Sequence, residues 1–263
     1  MKRTLVIETE RGIITREIRP ASMLDEVLNH GTAAEESVLN ASQMWGLPDF
    51  VYRAVEIDKG TARREVGDAF VIVEGIAAVV QVKGRPNPTE SPEKECRWAK
   101  KQAATAMSQA SGSLRTLRQN HVVLRNERGQ AVEVKADSYR WLKVVVLEHE
   151  APPAEFSQLD FETQGDAVVL LRTDWEFLFS EMRSTTAVLR YLLRSAPDAV
   201  HLGGHAEHYY SLAQIDEATS PTSPSFDSTG LKVDSRSMPQ LPLAPAGVDG
   251  GEREVLFLSL IHI

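Results

Sequence analysis

The chain lacks the raw material of several common functional classes. One cysteine, Cys96, in 263 residues leaves no disulfide framework and no cysteine-based zinc site, and fits a reducing compartment. No apolar run approaches the roughly 20 residues that span a bilayer, and Met1–Glu8 has no secretory apolar stretch. A soluble, cytoplasmic chain without a membrane segment is the expectation. There is no phosphate-cradling glycine loop, no GxSxG elbow and no dinucleotide fingerprint, which excludes Walker-type nucleotide hydrolysis. Basic residues are not in excess: 29 Lys and Arg stand against 37 Asp and Glu, for a net charge of -8. That balance does not favour a histone-like, charge-driven coat on nucleic acid and leaves room for a local basic groove. What remains is 42% hydrophobic and 25% charged, the balance of a globular protein. No internal repeat is visible.

Thr4–Ile7 and Ile13–Thr15 read as a hairpin turning at Glu10-Arg11-Gly12. A short helix is expected from Ser22 to His30, closed by Gly31. A second helix follows at once, with capping-box spacing at Thr32 and Glu35 and an inward stripe of Val38, Leu39, Ser42 and Trp45. Strand-like runs occupy 50 to 57, 120 to 125, 131 to 135, 141 to 148 and 167 to 171. Helices are expected over 94 to 118, where Ala99, Ala103, Ala106 and Ala110 form a close-packing face, and from Asp174 to about Arg194. The Ser/Pro/Gly-rich stretch from about 216 to 263 reads as a flexible tail. Its last six residues, Leu258-Ser259-Leu260-Ile261-His262-Ile263, look like a translated sequencing adapter, which implies a chain cut short.

The central hairpin carries the chemistry. Asp68–Val73 and Ile76–Lys83 are two strands with Glu74-Gly75 as the turn, and both are apolar on both faces, as in a sheet covered by helices on each side. A two-residue turn makes cross-strand partners sum to 149, which sets Asp68 opposite Gln81 and on the same face. Lys83, two residues on, shares that face. A carboxylate, an amide oxygen and an ammonium thus meet at one end of a buried hairpin. Two oxygen donors can hold a hard divalent cation, with water and phosphate completing its shell, and a lysine can orient water and offset charge on phosphorus.

Asp68, the strand turn, Gln81-Val82-Lys83-Gly84-Arg85 and the basic helix that follows resemble the PD-(D/E)xK, restriction-endonuclease-like nuclease superfamily, over about residues 31 to 120 and extending toward 195. The resemblance implies an α/β fold with a mixed central sheet flanked by helices, as one domain over 1 to 215 with its core at about 31 to 195. It implies Asp68 and Gln81 as metal ligands for Mg²⁺ or Mn²⁺, and Lys83 as the catalytic lysine. A glutamate on the helix before the first core strand often joins such sites; Glu35 fits better than Glu36, although its capping spacing also accounts for it. Gly67 stands before Asp68 in place of proline, and Gln81 replaces the usual acid. Pro48-Asp49 spells the family's dipeptide but falls where a helix gives way to a strand, as a turn would.

The helix over 94 to 118 holds Lys94, Arg97, Lys100, Lys101, Arg115 and Arg118 against Glu95, a local reversal of charge suited to phosphate contacts. Lys100, Lys101 and Arg115 are the expected DNA contacts, with Gln109 the polar helix residue nearest the metal. His201, His205 and His208 have helical spacing, but Gly203-Gly204 interrupts it and no acidic partner is evident. The expected function is metal-dependent hydrolysis of DNA phosphodiesters. The rival readings are a nuclease-fold module that only binds nucleic acid or a protein, and an interaction protein whose hairpin is merely core. A homodimer and a partner held through the tail are left open.

Overall fold

The computed structural model describes residues 3–9, 12–59 and 62–219; the expected tail from 220 on, with its adapter-like end, lies outside the described residues. The described chain is mixed α/β and falls into two compact units, one built on Ile18–His208 and one joining Thr4–Glu17 to the chain from Tyr209 onward. In the smaller unit β1 (Arg3–Thr9) and β2 (Gly12–Ile18) form the expected two-stranded hairpin. There the Gln214 amide donates to the Glu8 carbonyl at 2.8 Å.

The larger unit is organised on a five-stranded sheet in the order β3 (Val51–Lys59), β4 (Ala62–Val73), β5 (Ile76–Arg85), β8 (Arg140–His149) and β9 (Ala167–Leu171). β3, β4 and β5 form an antiparallel meander, and β5, β8 and β9 run parallel. A parallel crossover needs a connection of a dozen residues or more, and α2 (Pro92–Gln119) supplies it between β5 and β8. β6 (Val122–Arg125) and β7 (Ala131–Val134) pair as a separate ribbon. The small-residue stripe of α2 lies on one face of the sheet: Ala99, Ala103 and Ala106 pack with Val145 and Leu147, and Ala110 and Leu117 with Phe70, Ala77 and Val79. The other face carries α1 (His30–Trp45), whose His30 ring lies on Gly84, and α3 (Arg172–Met182), whose Arg172 meets Glu148. Helices on both faces explain why these strands are apolar throughout.

Three expectations fail for local reasons. Residues 22 to 29 are not helical: the Ser22 hydroxyl donates to Glu176 and bonds Ser37, and the Asp25 carboxylate takes the Val27 N–H in a turn. One helix starts at His30 instead, capped by Asn29, whose side chain accepts from the Thr32 N–H at 3.0 Å. Glu35 is therefore not a capping glutamate. The helix expected from Asp174 to Arg194 is two, α3 and α4 (Thr185–Ser195). Arg183 ends the first in the left-handed region at φ 49°, and Ser184 caps the second. Finally, α5 (His205–Thr219) runs past the expected domain end at 215. Among the described residues no helix is long and apolar enough to cross a membrane.

Candidate functional site: a fork in the central sheet

The β4–β5 ladder holds the register expected from the turn: Val73 pairs with Ile76, Phe70 with Val79 and Ala69 with Val80. It stops there. β3 and β4 continue as a two-stranded ribbon to Lys59–Ala62, while β5 and β8 continue together to Arg85–His149. The sheet therefore forks, and Asp68, Gln81 and Lys83 are the residues at and just beyond the branch.

A bulge sets the branch. Between the Arg53–Ala69 and Val55–Val66 pairs, β4 spends two residues, Gly67 and Asp68, against Ala54 alone on β3. Gly67 takes φ +69°, and a Cβ on it would come within 3.0 Å of the Phe70 ring, so glycine is required for both conformation and space. Its N–H donates to Ser113 Oγ of α2 at 3.1 Å, and Ser113 donates in turn to the Gln109 carbonyl. Such bulges re-aim a side chain, and here the side chain is Asp68.

Asp68 Oδ2 accepts the Val82 N–H at 2.6 Å, the donor left open where β4 departs. The carboxyl is half-buried, and burial raises its pKa, against the opposing pull of the Val82 N–H and the Lys83 charge. Lys83 is thus close enough to stabilise the Asp68 anion. Gln81 is buried, with Val145 as its neighbour across the parallel ladder. Glu35 is half-buried in the first half of α1. Glu36, the alternative, is held by both ends of the Arg53 guanidinium. Pro48-Asp49 lies in a single 3-10 turn, where Asp49 pairs with Arg128 at 3.3 Å, as a structural reading requires.

Further along the same strands lies a second carboxylate. Glu95, in the first turn of α2, is buried and fully engaged: Arg85 bonds both its oxygens at 2.8 and 2.9 Å, Thr89 donates through its N–H and hydroxyl, and His149 Nε2 stands at 3.0 Å. These partners, Arg85 foremost, hold its pKa far below the ordinary range against the cost of burial. Glu95 is therefore not the acid that tempers the basic helix. The exposed outer face of α2 carries Lys94, Arg97, Lys100, Lys101, Arg115 and Arg118 with Glu93. Gln109 is exposed on that helix, and Ser113 is the residue that touches the bulge.

Sequence reasoning missed Ser113 and His30. Ser113 falls on the alanine stripe of α2, spaced three from Ala110, which could have flagged it as inward-facing. The His30 ring occupies the space a Cβ on Gly84 would need, at 2.7 Å, and its Nε2 is buried with no hydrogen-bond partner. Nothing in the sequence marks it.

Among the described residues no three His, Cys, Asp or Glu side chains converge as a metal-holding group. The fork holds a different set of oxygen groups: the Asp68 carboxylate at the bulge and, on the strand it leaves, the amide of the buried Gln81. Hard oxygen donors in that number suit Mg²⁺, which keeps several waters and takes further oxygens from phosphate. No family model matches this chain, and no curated protein or solved structure matches it either.

Proposed function

We propose that the protein is a metal-dependent phosphodiesterase acting on DNA, with the fork of the central sheet as its active site and a restriction-endonuclease-like core as its scaffold. The observation that carries this reading is Asp68: a half-buried carboxylate at a bulge, with one backbone N–H and one lysine charge as its compensation. A carboxylate so placed gains from a cation. Asp68 and Gln81 would hold Mg²⁺ or Mn²⁺. The ion would supply positive charge where negative charge develops on the phosphoryl oxygens.

This chain's own residues do the rest. Lys83 orients a water for attack on phosphorus and offsets the charge that builds there. Water adds its oxygen to phosphorus, the P–O bond to the leaving sugar oxygen breaks, and the proton released by water ends on that oxygen or in solvent, with no covalent enzyme intermediate. The six cations on the outer face of α2 fit contacts to the phosphate backbone, Lys100, Lys101 and Arg115 among them.

Gln81 favours a second reading. A neutral amide at that position lowers the charge of the donor set by one, which fits a nuclease-like module that binds nucleic acid or a protein without cutting. Cleavage of plasmid and single-stranded DNA in Mg²⁺ or Mn²⁺ against EDTA separates the two. The first reading expects cleavage that EDTA abolishes and that Lys83→Ala lowers by about a thousandfold. Equal cleavage in EDTA, or by Lys83→Ala, contradicts it; binding without cleavage in every condition leaves the second.

A further inference from the structure

We propose that Ser113 is a positioning residue: its hydroxyl, presented by α2, holds the Gly67 bulge of β4 in place and through it sets where the Asp68 carboxylate stands at the fork. The role of Asp68 in cleavage rests on the function proposed above, whereas the link from Ser113 to Asp68 rests on hydrogen bonds alone. That link is short. The Ser113 hydroxyl donates to the Gln109 carbonyl at 3.0 Å, and its oxygen accepts the Gly67 N–H at 3.1 Å. Asp68 follows Gly67 directly, and its Oδ2 accepts the Val82 N–H at 2.6 Å.

Ser113 stands apart from the other hydroxyls of its helix. Thr105, Ser111, Ser113 and Thr116 each bond the carbonyl four residues back, at Lys101, Met107, Gln109 and Gly112. Such bonds satisfy a hydroxyl within its own helix and ask nothing of the rest of the fold. Of these four, Ser113 alone is buried, and among the described residues it alone accepts a hydrogen bond from another element. The stripe on which it lies accounts for this. Ala106, Ala110, Ser113 and Leu117 are spaced by four, three and four and are all buried. Ala110 and Leu117, on either side, pack with Phe70 and Val79, so Ser113 between them meets β4.

A bulge interrupts its ladder and leaves a backbone group to be satisfied elsewhere. Gly67 has no partner in the β3 register, and its N–H goes to Ser113 instead. Glycine enters the region at φ +69° without steric cost but is not confined to it, so the constraint has to come from outside the strand. Without the Ser113 oxygen, the residue before Asp68 regains its freedom, and the Asp68–Val82 contact loosens with it. Burial is the main cause that raises the Asp68 pKa, so a loosened and better hydrated carboxyl titrates lower.

Ser113→Ala removes the acceptor, and Ser111→Ala, on the same helix, removes a hydroxyl that bonds only within it. Both are read in the full chain by amide hydrogen exchange and by ¹³C NMR of the Asp68 carboxyl, neither of which needs cleavage. Ser113→Ala should speed exchange at Gly67 and Val82 by about tenfold relative to the other amides of β4 and β5. It should also bring the Asp68 midpoint down toward 3.8. Ser111→Ala should change neither. Should Ser113→Ala not fold, Ser113→Cys, which keeps the shape with a weaker acceptor, is read the same way. If the chain cleaves DNA, Ser113→Ala should raise the Mg²⁺ needed for half-maximal cleavage by about tenfold. An Asp68 midpoint that stays or rises, a Val82 exchange rate left as it was, or equal changes in Ser111→Ala overturn the assignment. A wild type that never cleaves overturns the phosphodiesterase reading instead, and the NMR result alone then decides the role of Ser113.

Discussion

Asp68, half-buried, and Glu95, buried, are carboxylates at the end of the sheet where β5 terminates, and they have opposite fates. Glu95 has a bidentate arginine, two donors from Thr89 and an imidazole, and its pKa falls. Asp68 has one backbone N–H and the field of one lysine, and its pKa rises. The first anion is consumed in joining α2 to β5 and β8. The second is the carboxylate that the function proposed above assigns to a cation. Counting partners, not burial, separates a structural carboxylate from a reactive one.

The largest effect that would sharpen this contrast is on stability. Glu95→Gln leaves Arg85 and His149 facing a neutral group and should destabilise the fold by about 3 kcal/mol in urea unfolding. Asp68→Asn, which keeps an acceptor for Val82, should change stability by less than about 1 kcal/mol. The pH dependence has opposite sign at the two sites. Glu95, held below its ordinary value of 4.5, contributes stability that is present above about that pH and lost as pH falls through its depressed folded value. Asp68, raised above 3.8, contributes stability that is present below that pH and lost as pH rises through its raised folded value. Glu95→Gln should therefore flatten the acid limb of the stability curve, and Asp68→Asn should not. Equal stability losses from the two variants would break the comparison.

A smaller effect is expected at Gln81. Gln81→Glu adds one negative charge beside Asp68 and should lower the metal concentration needed for half-maximal cleavage by about tenfold. If the wild type is silent, the same change should restore cleavage; an unchanged metal requirement would remove position 81 from the ligand set. The smallest effect belongs to the outer face of α2. Replacing Lys100, Lys101 and Arg115 by glutamine should weaken DNA binding evenly across sequences and reduce the salt slope by about one per lost contact.

The register of the central hairpin was legible in the sequence as far as Ala69–Val80, because a two-residue turn fixes it by counting. The expected Asp68–Gln81 pair is not part of that ladder, which ends one pair short of it at Ala69–Val80, while the apolar faces of both strands announced helices on each side. What stayed hidden depends on contacts between distant residues. Nothing local says that β4 leaves β5 at Ala69, since the bulge lies between the Arg53–Ala69 and Val55–Val66 pairs with β3 and its Gly67 N–H is held by Ser113 of α2. Glu95 read as a surface acid because its partners, Arg85 and His149, come from two strands. Ser22 has good capping chemistry, but Glu176 and Ser37 take its hydroxyl, and the helix waits for Asn29. Arg183 carries no sequence mark of a left-handed helix end, so two helices read as one.

The central claim is that Asp68 is a carboxylate short of compensation and open to a cation. Its titration, followed by ¹³C NMR of the side-chain carboxyl with Glu95 as the internal reference, tests this most directly. Without metal, Asp68 should titrate above 3.8 and Glu95 below 4.5. Adding Mg²⁺ should lower the Asp68 midpoint and leave that of Glu95 where it was. An Asp68 midpoint at or below its ordinary value, unmoved by Mg²⁺, would contradict the account.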